Sequence, residues 1–406
     1  MNVKVGEVQY RAEGNANLVI ALRGTNKVLR LPKSKYTEKS QLEKLEAIEN
    51  YINGVIQPLF GDYVSKVCVV NLNHEQLETI QKIVAPKRPE KRLSKNIFYP
   101  AGLLMPDHCF LSDPGEGPTL SVEIKPKLGY INPKVSQGKS CNYCLKQQYK
   151  FLESDRNYIK SQYCPLDLFS GVNSRMLEAF NNLMMTPKNN LRIFKDGTLL
   201  HDENNSSNIE CDTFLASTIG NKTFLPHTLV SILTSEPGSG DIHLDLDSKS
   251  IILNANRQGY CNSISKSLPK KCILSSILSL QKMDITDSEA DNLLNELISA
   301  GFDIKYLQNA ISDNNIDNEN LSDDLLNKIK KLKNYAISVT ARDLSVIVTL
   351  APEVSGRETK EGSWIVINKK VFRYQVSIID LDPKSLTKIK TYVENRLMWV
   401  NSTCES

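Results

Sequence analysis

The chain has 406 residues, with 50 Lys and Arg against 46 Asp and Glu for a net charge of +4, which leaves room for two or three domains or one large two-lobed unit. Hydrophobic residues at 40% and charged residues at 24% exclude a disordered chain. Near-neutral charge and only 7% aromatic residues speak against nucleic acid as the primary ligand. No apolar run approaches the ~18–20 residues of a membrane span, and Met1–Gly14 lacks the apolar core of a secretory signal. Nine scattered cysteines fit free thiols, so the expectation is an intracellular protein, cytoplasmic or nuclear. A monomer is expected separately.

Alternating apolar residues and turn formers predict a hairpin with a third strand: Val8–Arg11, a turn over Glu13–Asn17, Leu18–Arg23, a turn over Gly24–Asn26, then Val28–Leu31. Leu42, Leu45, Ile48, Ile52 and Ile56 recur at helical spacing among charged residues and predict an amphipathic helix from Glu38 to Ile56. Val67–Leu72 reads as a strand. This is the order of a small α+β unit. Lys87–Arg92 is a basic, proline-broken connection and Ser112–Pro118 a loop, leading into a strand over Leu120–Lys127. Helices are expected near Tyr143–Ser154, Ser174–Met185, Ser288–Ser299 and Ser322–Tyr335. Ala336–Leu350 and Phe372–Leu381 are β-rich, Asn189–Phe194 lies between helices, and Asp313–Asn320 is a polar loop. Asp196–Gly240, rich in Asn, Ser and Thr, carries no periodicity that assigns it.

Four segments carry chemistry. In an extended Glu123-Ile124-Lys125-Pro126-Lys127, residues two apart share a face at ~6.5–7 Å, so an acid and two cations line one side. Two adjacent ammonium groups repel unless a multiply charged anion such as a polyphosphate sits between them; a solvated strand face is the ordinary alternative. In Val376–Lys384 an apolar strand ends at Asp380, where a Mg²⁺ carboxylate commonly sits. Asp382 then reads as an N-cap with Pro383 at the first helical position, and Lys384, Lys388 and Tyr392 share a helix face. Against this stands an ordinary capped surface helix. Ser338–Leu350 reads as strand, polar turn, strand, with Asp343 at the turn. It is either a group that orients an attacking hydroxyl or a plain turn former. The small residues Gly14-Asn15-Ala16-Asn17 let backbone amides approach a phosphate, without a Walker lysine or a GxGxxG pattern.

Together these segments resemble the inositol-pentakisphosphate 2-kinase family. The matches run in order along nearly the whole chain: Glu13–Val19, Lys27–Arg30, Arg88-Pro89-x-x-Arg92, Glu123–Lys127, Tyr163–Gly171, Asn189–Phe194, Thr340–Asp343 and Ile379–Lys384. The Glu-x-Lys-Pro-Lys element looks like that family's signature. Residue 342 is Arg where the family often has Lys.

The resemblance implies an α+β, two-lobed kinase-like fold, with residues 1–107 as a small N-terminal lobe, 108–406 as a larger C-terminal lobe, and the active site in the cleft. It implies ATP and Mg²⁺ as cofactors and transfer of phosphate to the 2-hydroxyl of inositol 1,3,4,5,6-pentakisphosphate. Gly14, Asn15, Ala16, Asn17 and Arg30 would meet the nucleotide phosphates, Asp107 and His108 would border adenine, and Glu123 and Arg192 would complete that site. Asp380 would hold Mg²⁺, and Asp343 would accept the hydroxyl proton. Arg92, Lys125, Lys127, Lys150, Asn189, Asn190, Lys384, Lys388 and Tyr392 would grip the inositol phosphates, with Lys125 also bridging to the transferred group. A cation array of this size is what a substrate with five phosphates requires. The competing expectation is a non-catalytic inositol phosphate or phosphoinositide scaffold, which would gain nothing from carboxylates beside phosphates.

Cys141-x-x-Cys144 with Cys164 has the ligand types of a structural Zn²⁺ site, with Cys109, Cys261, Cys272 and His108 as further candidates. Buried free thiols are the ordinary alternative.

Overall fold

The computed structural model describes residues 8–33, 38–94, 100–112, 117–135, 141–154, 157–205, 209–236, 242–245, 252–253, 272–283, 285–312, 321–353 and 363–404. Expectations for the loop at 313–320, for Cys261 and for part of Ser112–Pro118 lie outside them.

Two sheets organise the described chain. The first comprises β1 (Val8–Glu13), β2 (Asn17–Leu22), β3 (Lys27–Pro32), β4 (Cys68–Asn71) and β5 (Ala101–Pro106), ordered β1-β2-β3-β5-β4 and antiparallel throughout. The period-2 pattern puts Leu18, Ile20 and Leu22 of β2 and Leu29 and Leu31 of β3 into one apolar cluster. Leu77, Ile80 and Val84 of the helix His74–Val84 close it. That helix starts in a reciprocal capping box, Asn73 with Gln76.

The second sheet holds β6 (Leu120–Ile124), β7 (Leu191–Lys195), β8 (Thr198–His201), β9 (Ile242–Asp245), β10 (Ile252–Leu253), β11 (Ser345–Pro352), β12 (Ser363–Ile367) and β13 (Lys370–Ile379). Its order is β10-β9-β12-β13-β11-β6-β7-β8, antiparallel except β9 against β12. β11 is apolar almost throughout because it is central. Val346, Val348 and Leu350 join a core with the helices Asn173–Met185, Phe224–Thr234 and Ile273–Gln281. A third cluster, around Leu297, Leu307, Ile311, Ile329 and Leu332, packs the helices Asp287–Ser299, Ile304–Ser312 and Asp323–Ala341. The mixed architecture agrees with the α+β expectation. Among the described residues no helix is long and apolar enough to cross a membrane.

Several local expectations are corrected. Ser338–Ala341 is the last turn of the helix Asp323–Ala341, not a strand. Its β-branched residues suggested extension, but the apolar stripe Ile329, Leu332, Ala336, Val339 continues at helical spacing, and tertiary packing overrides the weak local preference. β6 ends at Ile124 rather than Lys127: Pro126 offers no ladder donor, and Lys127 adopts φ +61°. Asp382 is no N-cap. It pairs with Arg30, and the last helix begins later, as a 3₁₀ turn Leu386–Lys388 followed by Ile389–Cys404. The predicted helix from Glu38 widens into a π-helical turn at Tyr51–Ile56 before closing at Gln57–Phe60. The unassigned stretch from Asp196 contains β8 and two helices, Ile209–Ile219 and Phe224–Thr234.

Candidate active site

A cavity of about 540 Å³ is walled by residues of both sheets. Its first wall is the β1–β2 turn. Gly14 N–H donates to the Asn17 carbonyl at 2.9 Å, closing the turn. Lys33 Nζ reaches both the Gly14 carbonyl at 2.5 Å and Glu13 Oε1 at 2.6 Å. Arg88 grips the same Glu13 with two parallel bonds of 2.9 Å. Burial would raise the Glu13 carboxyl, but Arg88 and Lys33 outweigh it and hold it below the usual carboxylate range. Arg92 donates to Asn15 Oδ1 while its carbonyl accepts from Arg88 at 2.9 Å, so this basic connection is laced to the turn.

The neighbouring wall comes from β3 and the end of β5. Arg30 Nη2 donates to Asp382 Oδ1 at 2.5 Å, tying the first sheet to the loop after β13. Asp107 accepts from Arg11 and from the Cys109 N–H at 3.1 Å. His108 is buried beside it. Burial pushes its imidazole down to about 4, against the smaller opposing pull of Asp107.

The floor follows from strand register. Glu123 on β6 lies directly opposite Arg192 on β7, and the two form an ion pair at 3.3 Å. Ser345 Oγ donates to Glu123 at 2.9 Å. Beyond β6, Lys125 pairs with Asp380, which sits at the end of β13 with φ +61°. Burial would raise Asp380, but Lys125 and then Arg30 prevail and keep it ionised. The turn after the helix Asp323–Ala341 presents Asp343 between two cations, Lys127 Nζ at 2.9 Å and Lys384 Nζ at 2.8 Å. Burial again works upward and loses: the two lysines hold the Asp343 carboxyl well below its ordinary value.

The cavity wall therefore gathers Gly14, Asn15, Ala16, Asn17, Arg30, Asp107, His108, Glu123, Lys125, Lys127, Asn189, Arg192, Asp343, Asp380 and Lys384 from distant parts of the chain. Arg92, Lys150, Asn190, Lys388 and Tyr392 stand outside it. Asn190 is buried, donates to the Tyr143 hydroxyl at 2.6 Å and accepts the Lys125 N–H at 2.9 Å. Lys150 lies over the Tyr158 ring at 5.3 Å, Lys388 is exposed, and Tyr392 is half-buried. Sequence reasoning missed Lys33 and Asp382 as members of this network. Lys33 carried no motif, and Asp382 was disguised as a helix cap.

The thiols of Cys141, Cys144 and Cys164 lie within 4.8 Å of one another. Cys141 caps its helix, accepting the Cys144 N–H at 3.3 Å. Hydrogen bonds from Cys141 and Cys144 draw the Cys164 thiol down. Cys109, Cys272 and His108 do not join the cluster.

A cavity in which lysines and arginines are held by carboxylates they can surrender to an incoming anion is suited to phosphate-rich ligands. The chain belongs to the inositol-pentakisphosphate 2-kinase family, whose model matches residues 10–396, and it is thus a member of a family of kinases. It is similar to the inositol-pentakisphosphate 2-kinase of Danio rerio, 29% identical over an alignment 441 positions long, gaps included, that covers 93% of this chain and 88% of the relative. The protein of that name from Arabidopsis thaliana is 25% identical, covering 94% and 90%. One from Oryza sativa subsp. japonica is 26% identical at the same coverage.

Proposed function

We propose that this protein transfers the γ-phosphoryl group of ATP to the 2-hydroxyl of inositol 1,3,4,5,6-pentakisphosphate, giving inositol hexakisphosphate and ADP. The observation that carries the reading is Asp343, a carboxylate held between Lys127 and Lys384 in the same cavity as the glycine turn and Asp380. The five-stranded and eight-stranded sheets beside that cavity support a two-lobed kinase-like arrangement, with residues 1–107 as the smaller lobe and 108–406 as the larger.

In this reading the backbone of Gly14–Asn17, with Arg30 and Arg192, receives the nucleotide phosphates, Asp107 and His108 border the base, and Glu123 fixes Arg192. Asp380 is a hard oxygen ligand kept ionised, which suits Mg²⁺. Bound there, the metal would neutralise charge on the nucleotide phosphates. Lys125, Lys127 and Lys384 face the inositol phosphates from the cavity wall. Asn189, Arg92, Lys150, Lys388 and Tyr392 extend the grip around them, while the buried Asn190 supports it from behind by accepting the Lys125 N–H.

The ion pairs have a mechanistic consequence. When a polyanion arrives, Lys127 and Lys384 exchange the Asp343 carboxylate for phosphate oxygens. Asp343 then loses the cations that depress it and faces new negative charge, so its affinity for a proton rises. A carboxylate too weak as a base in the free protein thus gains basicity when its substrate is bound. A non-catalytic inositol phosphate scaffold would lose affinity by keeping these two carboxylates, so the enzyme reading is favoured.

A structural Zn²⁺ on Cys141, Cys144 and Cys164 belongs to the same proposal. The 3.8 Å between the Cys141 and Cys164 sulfurs is close to the edge of a tetrahedron with ~2.3 Å metal–sulfur bonds. The 3.0 Å between Cys141 and Cys144 is shorter than that edge, so these two thiols would move apart on binding the metal. It would tie the start of the helix Asn142–Glu153 to the turn at Pro165. An intracellular place of action follows from the choice of ATP as phosphoryl donor.

The test is incubation with ATP, Mg²⁺ and inositol 1,3,4,5,6-pentakisphosphate, followed by chromatography of the products. A hexakisphosphate peak that needs both ATP and Mg²⁺ is expected. Its absence with folded protein contradicts the proposal.

A further inference from the structure

Gln281 ends the apolar helix Ile273–Gln281 and is fully buried. A primary amide in such a place is costly unless its polar atoms are paired. Both of its donors are used: Nε2 donates to the Lys127 carbonyl at 2.8 Å and to the Ala341 carbonyl at 3.0 Å. Its Oε1 accepts the Gly129 N–H at 2.8 Å. Its own carbonyl accepts Ser338 Oγ at 3.0 Å.

These partners are not scattered. Lys127 and Gly129 belong to the segment after β6, and Ala341 is the residue before the Arg342-Asp343 turn. The side chains of those two segments meet as the Lys127–Asp343 pair at 2.9 Å. Neither segment is held there by a sheet ladder, since β6 has ended and β11 has not begun. Lys127 also takes φ +61°, a backbone state that a side chain with a Cβ disfavours and that persists only where surroundings impose it. The Tyr163 hydroxyl fixes one side of the segment through the Pro126 carbonyl at 2.7 Å. Gly129 lies so close to the Phe169 ring that a Cβ would meet it at 2.1 Å. In the other segment, Arg342 is anchored by Asp287 at 2.9 Å. Gln281 joins the two anchored segments through their backbone groups, alongside the Lys127–Asp343 side-chain pair.

We infer that Gln281 is a positioning residue for phosphoryl transfer: its amide sets the separation between the substrate cation Lys127 and the base Asp343. This rests on the kinase reading above. The amide touches no substrate itself. It acts by fixing where the base stands relative to the phosphates, and a misplacement of about 1 Å at a reacting centre costs ~10²-fold in rate.

The experiment compares wild type, Gln281→Met and Gln281→Glu for kcat, the KM for inositol pentakisphosphate and the KM for ATP, below the melting temperature of each and with folding checked by circular dichroism. Gln281→Met keeps the volume and removes every hydrogen bond of the side chain. It should lower kcat about 10²-fold and raise the inositol KM, with the ATP KM within about twofold of wild type. Gln281→Glu keeps the acceptor for Gly129 and regains a donor only when protonated, so its kcat relative to wild type should climb as pH falls from 8 to 6. If Gln281→Met fails to fold, this pH profile decides alone. Folded variants with wild-type kinetics, or an equal loss of ATP and inositol parameters without the pH-dependent recovery, would overturn the inference and leave the kinase reading standing. A folded wild type that makes no hexakisphosphate would remove the kinase reading, and this inference with it.

Discussion

Lys127 Nζ donates to Asp343 Oδ1 at 2.9 Å, and the second carboxylate oxygen accepts from Lys384 at 2.8 Å. The pair joins a segment after β6 to a turn more than 200 positions later, since the residues are 216 apart in sequence. In the free protein the carboxylate occupies the place that substrate phosphates take in the proposed complex.

Lys127→Ala and Lys384→Ala should therefore raise the inositol pentakisphosphate KM far more than the ATP KM. Charge-assisted contacts of this kind contribute roughly 1.5–3 kcal/mol each, so about 10- to 150-fold is expected for the inositol substrate. Equal losses for both substrates would place these lysines elsewhere in the reaction.

Acid stability should report His108. Burial pushes its imidazole down to about 4 from an ordinary 6.5. Between these values the unfolded chain binds a proton that the folded protein refuses, so the contribution is complete above about pH 6.5 and is lost as pH falls toward 4. The linked loss is about 3 kcal/mol. His201 and His227, also lowered by burial, act in the same direction. Asp343 and Asp380, held low, add their losses only in more acid solution. Urea unfolding of wild type and His108→Asn at pH 7, 6, 5 and 4.5 should show a shallower decline in the variant. Parallel curves would refute the assignment.

The cysteine cluster predicts about one Zn²⁺ per chain by elemental analysis of protein purified without chelator. Chelation should lower thermal stability without removing the residues that perform the chemistry. Metal-free protein with unchanged melting would leave three ordinary thiols.

Much of this architecture was legible in the chain. Period-2 alternation marked β2 and β3, and helical spacing marked Asn142–Glu153 and Asp287–Ser299 to within a residue or two. The acids and cations of the cavity were legible as residue types, because Glu123, Lys125, Asp343 and Asp380 fall at strand ends or turns. What stayed hidden was long-range. Asp382 looked like a cap because the sequence does not say that Arg30, 352 positions away, will claim its carboxylate. Gln281 carries no signal in the sequence, since its three partners come from segments about 150 and 60 residues distant. The helix through Ala341 was misread because local β-branching competes with a stripe visible only when Ile329 to Val339 is taken as one element.

The most direct test of the account is Asp343→Asn, assayed for turnover and for binding of inositol pentakisphosphate by calorimetry. The substitution keeps size and removes one negative charge from a site built to hold a polyanion. Binding should be unchanged or slightly tighter, because Lys127 and Lys384 no longer have to leave a carboxylate. The amide cannot accept the hydroxyl proton, and loss of general-base assistance costs ~10²–10⁴ in rate. Asp380→Asn should also lose activity, but its defect should ease at high Mg²⁺, and that of Asp343→Asn should not. Turnover reduced at least ~10²-fold with binding intact is the predicted result. Near-normal turnover by Asp343→Asn would contradict the account, making Asp343 a turn residue and nothing more.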